Sequence, residues 1–313
     1  MKSLFSILIL ATIASVQAAE VDSFRLRYQE LPDSLPLINL KANELLKDAV
    51  KEANKGQFSN PCSEKKLYKK LRSKFRNHYL DEFSKWIIKT DKLAKIETKI
   101  GQSIYRDFSP LQSPIQGAWA RVANDPTAAA LNVNGHRVGT DKFEHFMGSG
   151  FNYFKTYVLE GKPLEEALNI GWKAETGLMG GFMTGVMAYG DLVANFQGMR
   201  FWNHILQTSE DVFGKNEGPY IVCEKNQWTQ VKKIDFAVYI DAGFDEGINC
   251  SKMRTKKMTR LVQNRLKEYQ ERDPQNRSYD CPIDPRKLDE LVENYGELTP
   301  WLINEKGLVP MPK

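Results

Sequence analysis

The sequence predicts a mainly α-helical chain: a compact helical bundle core with a small β element and loop-rich flanks, behind a cleaved signal peptide. Three observations carry that expectation. Apolar residues recur at helical spacing in several segments, three helix-length segments follow one another between Asp141 and Gln207 with almost no linker, and one short segment alternates with period two.

The chain begins with Lys2, an uncharged and largely apolar run from Leu4 to Val16, and the small residues Val16 and Ala18 ahead of Ala19-Glu20. This is the order of a secretory signal, with cleavage after Ala18. The run is shorter than the roughly 20 residues needed to span a bilayer, and no cysteine stands near the cleavage site, so neither a membrane anchor nor a lipoprotein is expected. The expected location is periplasmic or secreted. Lys+Arg number 44 against 39 Asp+Glu, a formal charge of +5 that loses one unit with Lys2, which is too small an excess to imply nucleic acid.

Residues 19–138 form an N-terminal helical region. Leu40, Leu45, Leu46, Ala49, Val50 and Ala53 share one helix face, which Gly56, Asn60 and Pro61 end. Leu67, Leu71 and Phe75 recur among Lys65, Lys66, Lys69, Lys70, Arg72, Lys74 and Arg76, giving a basic amphipathic helix that is either a solvated face or a contact for anionic lipid or wall polymer. Residues 108–137 read as a proline-rich, loop-rich passage with a short helix near Gln116 to Ala123.

The core, residues 139–207, is expected as three antiparallel helices, from about Asp141 to Glu160, Pro163 to Tyr189 and Asp191 to Gln207. Gly177, Gly181 and Gly185 lie four apart, a pattern that makes sense where another backbone approaches closely. In the C-terminal region, residues 208–313, Ile234 to Ile240 is the strand candidate, and Met258, Leu261, Val262, Leu266 and Tyr269 line a second amphipathic helix stopped by Pro274. The whole is expected to pack as one domain.

Four cysteines in an exported chain suggest disulfides, and none of the spacings is that of a zinc site. Three pairings are possible. The preferred one joins Cys250 to Cys281, which flank one helical segment, and Cys62 to Cys223, which ties the two ends of the chain together.

Polar residues of catalytic type concentrate in the core. Asp141 and His145 are one helical turn apart, so a carboxylate can orient an imidazole; equally, Asp141 with Glu144 fits a helix cap. Glu175 sits in an apolar helix and needs a partner, such as Lys142 or His145. Asp191 follows Gly190 as a plausible N-cap, whereas Asn195, on the same face, is a buried amide that caps nothing. His78, His136 and His204 stand alone and read as structural or exposed. Templates for serine, zinc-protease and P-loop chemistry are missing.

The order Asp141-Lys142-x-x-His145-Phe146, then Glu175, then Asp191-Leu192-x-Ala194-Asn195-x-x-Gly198 resembles the pattern of VanZ-like and YfiM-like envelope proteins, over residues 139–202 only. These families are similar to a wider helical superfamily, the Lipocone proteins, in which polar residues of a small bundle are proposed to act on phosphate-linked head groups of lipids. The resemblance implies one pocket around Asp141, His145, Glu175, Asp191 and Asn195. It departs from the VanZ pattern in having no arginine just before the Asp191 motif and no membrane helix, although Arg137 and Arg200 flank it.

The expected activity is hydrolysis or transfer of a phosphate-linked lipid or lipid-linked sugar head group reached from the membrane surface. His145 is nucleophile or general base, Asp141 orients it, and Glu175 is the acid/base. Asp191 and Asn195 position substrate or a hard cation such as calcium or magnesium, and Lys142 and Arg200 bind substrate. One rival is a non-catalytic envelope protein in which the same residues form a buried network. A second is a wall-cleaving glycosidase using Glu144 and Glu175, which would need a β-hairpin soon after the first acid. Export itself predicts a mature N-terminus at Ala19, to be read by mass spectrometry of the secreted or periplasmic protein; a folded product that keeps Met1 would refute it.

Overall fold

The computed structural model describes residues 20–56, 61–76, 81–119 and 127–311; the leader, His78 and the end of the helix expected over 116–123 lie outside them. It is 52% helix and 9% strand. Among the described residues no helix is long and apolar enough to cross a membrane.

Helix α1 (Leu35–Asn54) buries Leu45, Leu46, Ala49, Val50 and Ala53 of the face expected from the periodicity, together with Ile38 and Ala42, whereas Leu40, expected on that face, is exposed to solvent. Helix α2 (Glu64–Phe75), capped by Ser63, buries Leu67, Leu71 and Phe75 against it, each removal from water contributing about 1.5–3 kcal/mol. Part of its basic face turns back on the protein, since Lys70 and Lys74 pair with Glu52 and the Arg72 and Arg76 guanidiniums lie 4.9 and 4.6 Å from the centre of the Phe151 ring, whereas Lys65 and Lys69 stay exposed. Helix α3 (Glu82–Lys89) closes this layer.

The passage 108–137 contains structure that its composition conceals. Asn134 and Gly135, both at positive φ, turn a hairpin between β1 (Ala130–Val133) and β2 (His136–Gly139), with Val133 opposite His136. Of the short helix expected near Gln116 to Ala123, only residues 116–119 fall among those described, within a π-helical turn at Pro114–Trp119.

Helix α4 (141–159) includes π turns at His145–Ser149 and Lys155–Leu159. The first inserts a residue into the ladder, so that His145 and Gly150, five apart, both face helix α6 (Tyr189–His204). Every residue of α6 is buried, which makes it the axis of the bundle. A close backbone approach occurs here, between Gly150 and Gly198; of the three glycines singled out above, Gly185 meets a distant backbone, the Gln112 carbonyl, whereas Gly177 and Gly181 meet only their own segment.

Those glycines end a helix. Helix α5 (Leu164–Thr176) stops at Gly177, a π turn covers Leu178–Thr184, Gly185 adopts φ +74°, and strand β3 (Val186–Met187) leads into α6. The expected continuous helix from Pro163 to Tyr189 is therefore one α-helix followed by a projecting π turn and a short strand.

Strand β4 (Ile221–Glu224) pairs with β5 (Gln227–Gln230), and β6 (Lys252–Met253) pairs with β3. Residues 234–240, expected as a strand, form instead a 3-10 turn at Phe236–Val238. Asp235 accepts the Ala237 N–H, and Asn39 and Asn43 of α1 hold the backbone of Phe236 and Ile234, so a strand partner has nothing left to bond. Helices α7 (Lys256–Arg272) and α8 (Pro285–Tyr295) follow, and a short helix, α9 (Thr299–Leu302), comes last among the described residues. Disulfides join Cys62 to Cys223 and Cys250 to Cys281, which fits an oxidising compartment. The main apolar cluster takes side chains from all three regions, for example Leu45, Phe146 and Tyr220.

A Cβ on Gly198 would stand 1.9 Å from the Phe146 carbonyl oxygen, whereas one on Gly101 meets nothing within 4 Å. Gly198→Ala should therefore destabilise by about 1–3 kcal/mol or more through overpacking, and Gly101→Ala by less than about 0.5 kcal/mol. Urea denaturation of the two variants decides it; equal stabilities would show that α4 and α6 have room to separate.

Candidate functional site

Three segments of the core and one distant loop deliver their polar side chains to a single point. Lys142, at the start of α4, has a side chain with no exposed surface, and its ammonium touches Asp141 Oδ2 at 2.7 Å, Asp191 Oδ1 at 2.6 Å and Glu246 Oε1 at 2.5 Å. The Asp191 contact is ionic and is not a well-aligned hydrogen bond. Space for this arrangement comes from glycine. A Cβ on Gly139 would strike Asp141 Oδ1, and one on Gly190 would strike Lys142 Cε.

Asp141 does not serve the imidazole as its spacing suggests, because Lys142 takes it. Nor is it a cap: Thr140 occupies that position without a side-chain bond. Asp191 lies inside the first turn of α6, behind the N-cap Ala188, and its second oxygen, Oδ2, stands 3.3 Å from His145 Nε2. His145 Nδ1 stands 3.2 Å from Asn195 Oδ1. Glu175 finds neither Lys142 nor His145 as a hydrogen-bond partner; its Oε2 accepts the Ala188 N–H at 3.2 Å, closing the projecting turn at its base.

The direction of the hydrogen bonds fixes the imidazole. Tyr153 donates its hydroxyl to the Leu168 carbonyl, and the Asn195 amide nitrogen lies beside that hydroxyl, so Asn195 turns its carbonyl oxygen toward His145. Nδ1 must then carry the proton. A neutral ring consequently aims the Nε2 lone pair at Asp191, an arrangement that calls for a proton or a metal cation between them.

Electrostatics point the same way. Glu20, the first described residue, is buried beside Asp191 and Glu246, so five carboxylates (Glu20, Asp141, Glu175, Asp191 and Glu246) surround one lysine. Burial, and then the neighbouring Asp191, pushes Glu20 and Glu175 well above the ordinary glutamate range. Burial also raises Asp141, against the lowering effect of Lys142, and raises Glu246 to about 7. The carboxylates hold Lys142 well above its usual value despite its burial.

Two sets of ligand atoms lie within 4.8 Å of one another: His145, Glu175 and Asp191, and Glu20, Asp141 and Asp191. Asp141 Oδ1 is buried without a protein partner, which suits a bound cation. The first set mixes an imidazole nitrogen with carboxylates, a donor set better matched to zinc or manganese than to the calcium or magnesium expected from the sequence.

The flanking residues do not join the site. Arg200 is buried, bonded to Asp211 through Nε and Nη2 and to Gln197, and lies over the Phe213 ring, so it has no hand free for phosphate. Arg137 donates to the backbone carbonyls of Leu26, Arg27 and Gln29. His204 is fully buried between Tyr239 and Asp211. Glu144 is followed by continuing helix, not by a hairpin.

At one edge the cluster opens. The His145 side chain is 29% exposed, and the turn between Glu175 and Ala188 projects Leu178, Met179 and Phe182, which are 68%, 51% and 52% exposed. Leu111, 89% exposed, stands across from it, with Arg254 bonded to the Leu111 carbonyl and 5.9 Å from the Phe182 ring.

The raised acids give stability a definite pH slope. Between about 4.5 and about 7 the folded protein holds a proton on Glu246 that the unfolded chain has lost, so stability falls as pH rises through that window, and Glu175 and Glu20 act in the same sense. Urea titrations at pH 5 and pH 8 should show the decline, flattened in Glu246→Gln. Lys142→Met should cost about 3–5 kcal/mol at pH 8, since it strands buried carboxylates; a variant as stable as the parent there would mean that the charges are not coupled.

Compared with protein-family models, curated proteins and solved structures, the chain matches none, so the site's chemistry has to be read from its own residues.

Proposed function

We propose that the protein is an exported enzyme that hydrolyses or transfers a phosphate-linked head group of a lipid or lipid-linked sugar at the membrane surface. The observation that carries this reading is the edge of the cluster where a partly exposed imidazole, its Nε2 directed inward, meets Asp191 and Glu175 beside an exposed apolar turn. In this reading His145 Nε2 takes the proton of the attacking hydroxyl or water, and with Glu175 and Asp191 it would hold a cation that lowers the pKa of that water if one is bound; Asn195, in place of Asp141, holds the ring through Nδ1. Glu175, kept protonated by burial, supplies a proton to the departing head-group oxygen. Leu178, Met179, Phe182 and Leu111 enter the acyl boundary of the bilayer, with Arg254 at the level of the phosphates.

The sealed end of the cluster favours a second role for part of the network. Lys142, with no exposed surface, fixes helices α4 and α6 and the Glu246 loop whether or not chemistry occurs. A protein with that role alone would bind membranes or wall polymer without turnover.

The two readings separate in one set of measurements. His145→Ala and Glu175→Gln should lower head-group release from phospholipid or lipid-linked sugar by about 10²–10⁴-fold while the helical signal and melting temperature stay close to the parent's. Chelation followed by zinc, manganese, calcium or magnesium identifies the cation, if one acts. A parent protein inactive on every anionic lipid under all four metals, with variants that melt early, would establish the structural role instead.

A further inference from the structure

A second site lies elsewhere on the molecule and does not depend on the reading above. Residues Arg25, Arg106, Arg265, Arg272 and Arg277 line one cleft of about 560 Å3, with Tyr28, Tyr269 and Tyr279 in its walls. That volume falls within the range of small-molecule sites. Three chain segments build it: the N-terminal stretch after Asp22, the turn around Gln102, and the end of α7 with the loop that follows.

Positive charge in the cleft exceeds its local compensation. Arg106, Arg265 and Arg272 all turn to one carboxylate, Glu268, and Arg106 also reaches Asp107. Arg277 is held by Asp273. Arg25 has only the neutral Gln102 side chain, at 2.7 Å from Nη1, and its Nε is buried with no partner. Arg265 is the second independent sign of a ligand. Its side chain is 2% exposed, it lines the cleft, and its Nε is likewise without a partner. A buried guanidinium with an unmet donor is costly unless an acceptor completes it.

The donors are also fixed in place. Tyr269 donates to Asp22 Oδ2 at 3.0 Å, an oxygen that also accepts the Ile104 N–H, while Asp22 Oδ1 accepts the Phe24 and Arg25 N–H groups, so the Arg25 backbone is anchored to the cleft wall. The Arg277 guanidinium lies 3.9 Å from the centre of the Tyr28 ring, and the Arg265 guanidinium 5.4 Å from that of Tyr269. Forked guanidiniums held by rings and carboxylates are arranged for planar, multidentate recognition of an oxyanion.

We infer that this cleft binds a phosphate-bearing anion through Arg25, Arg265 and Arg272. The phosphate can belong to a soluble ester or to a lipid head group, and the experiment distinguishes them. Calorimetric titration of the mature protein at 0.15 M salt with inorganic phosphate, pyrophosphate and glycerol phosphate, and co-sedimentation with phosphatidylglycerol against phosphatidylcholine vesicles, are carried out on the parent, Arg25→Gln and Arg272→Gln. Arg272 is 71% exposed, so its substitution leaves the fold intact should Arg25→Gln fail to fold. Lys65→Gln, on the exposed side of α2, is the control for general charge. Saturable binding of a phosphate compound, weakened at least tenfold in either arginine variant and unchanged in Lys65→Gln, is the expected result. If only phosphatidylglycerol vesicles bind, with the same dependence on Arg25 and Arg272, the phosphate is that of a lipid. Absence of saturable binding in both formats, or binding that the control weakens as much as the arginine variants do, overturns the inference.

Discussion

The fold is organised around an ammonium group that has no access to water. Lys142 is tolerable in that position only because carboxylates from α4, α6 and the loop carrying Glu246 close on it. Each of those contacts is also a fold constraint. Asp191 sets the rotation of α6 against α4, and Glu246, more than a hundred residues further on, pulls the C-terminal region onto the core. The Glu246 loop is itself secured: Ser251 donates to Glu246 Oε2, Ile283 donates to the Gly247 carbonyl, and the Cys250–Cys281 disulfide spans the same neighbourhood. Loss of the lysine would release several elements at once.

The same cluster grades from sealed to solvent-facing over the length of two side chains. Asp191 gives one oxygen to sealed Lys142 and the other to partly exposed His145, so the group that fixes the helices also faces the exposed edge. On its other side the imidazole is held by a directed chain running from Asn195 through Tyr153 to the Leu168 carbonyl. Gly171 makes that chain possible, since a Cβ there would lie 2.0 Å from the Tyr153 hydroxyl. Rigid support of this kind is what a catalytic histidine requires, because a small misplacement costs rate steeply.

Much of the helical framework was legible in the sequence because it depends on local period. Leu67, Leu71 and Phe75 announce α2, and Met258, Val262 and Leu266 announce α7. Period misled at Ile234 to Ile240, where side chains of Asn39 and Asn43, nearly two hundred residues away, take over the backbone. The hairpin at Asn134-Gly135 had a turn signal, but it was submerged in a proline-rich passage. In the site, Asp141, Lys142, His145, Glu175, Asp191 and Asn195 lie together; helical spacing joined only Asp141 with His145 and Asp191 with Asn195, and one common pocket was an implication of the resemblance alone. Glu20 and Glu246 did not show, since nothing local marks a carboxylate whose partner is remote. Arg200 was misassigned for the converse reason: Asp211 neutralises it across a loop whose course the sequence does not reveal.

An acidic cluster looks like a poor place to receive a phosphate-linked substrate, and the balance of charge decides whether it is one. Were all five carboxylates ionised, Lys142 would leave an excess that repels any phosphodiester. Burial prevents this. It holds Glu20 and Glu175 above their ordinary range and Glu246 near 7, so the cluster retains protons close to neutrality, and a cation at His145, Glu175 and Asp191 would lower the excess further. Protonated Glu175 is then a donor in place of a repelling charge, placed at the base of the apolar turn by which a lipid would enter. What makes the carboxylates admissible beside a phosphate is thus the same burial that makes them costly to the fold, and the sealed lysine keeps that cost from unfolding it.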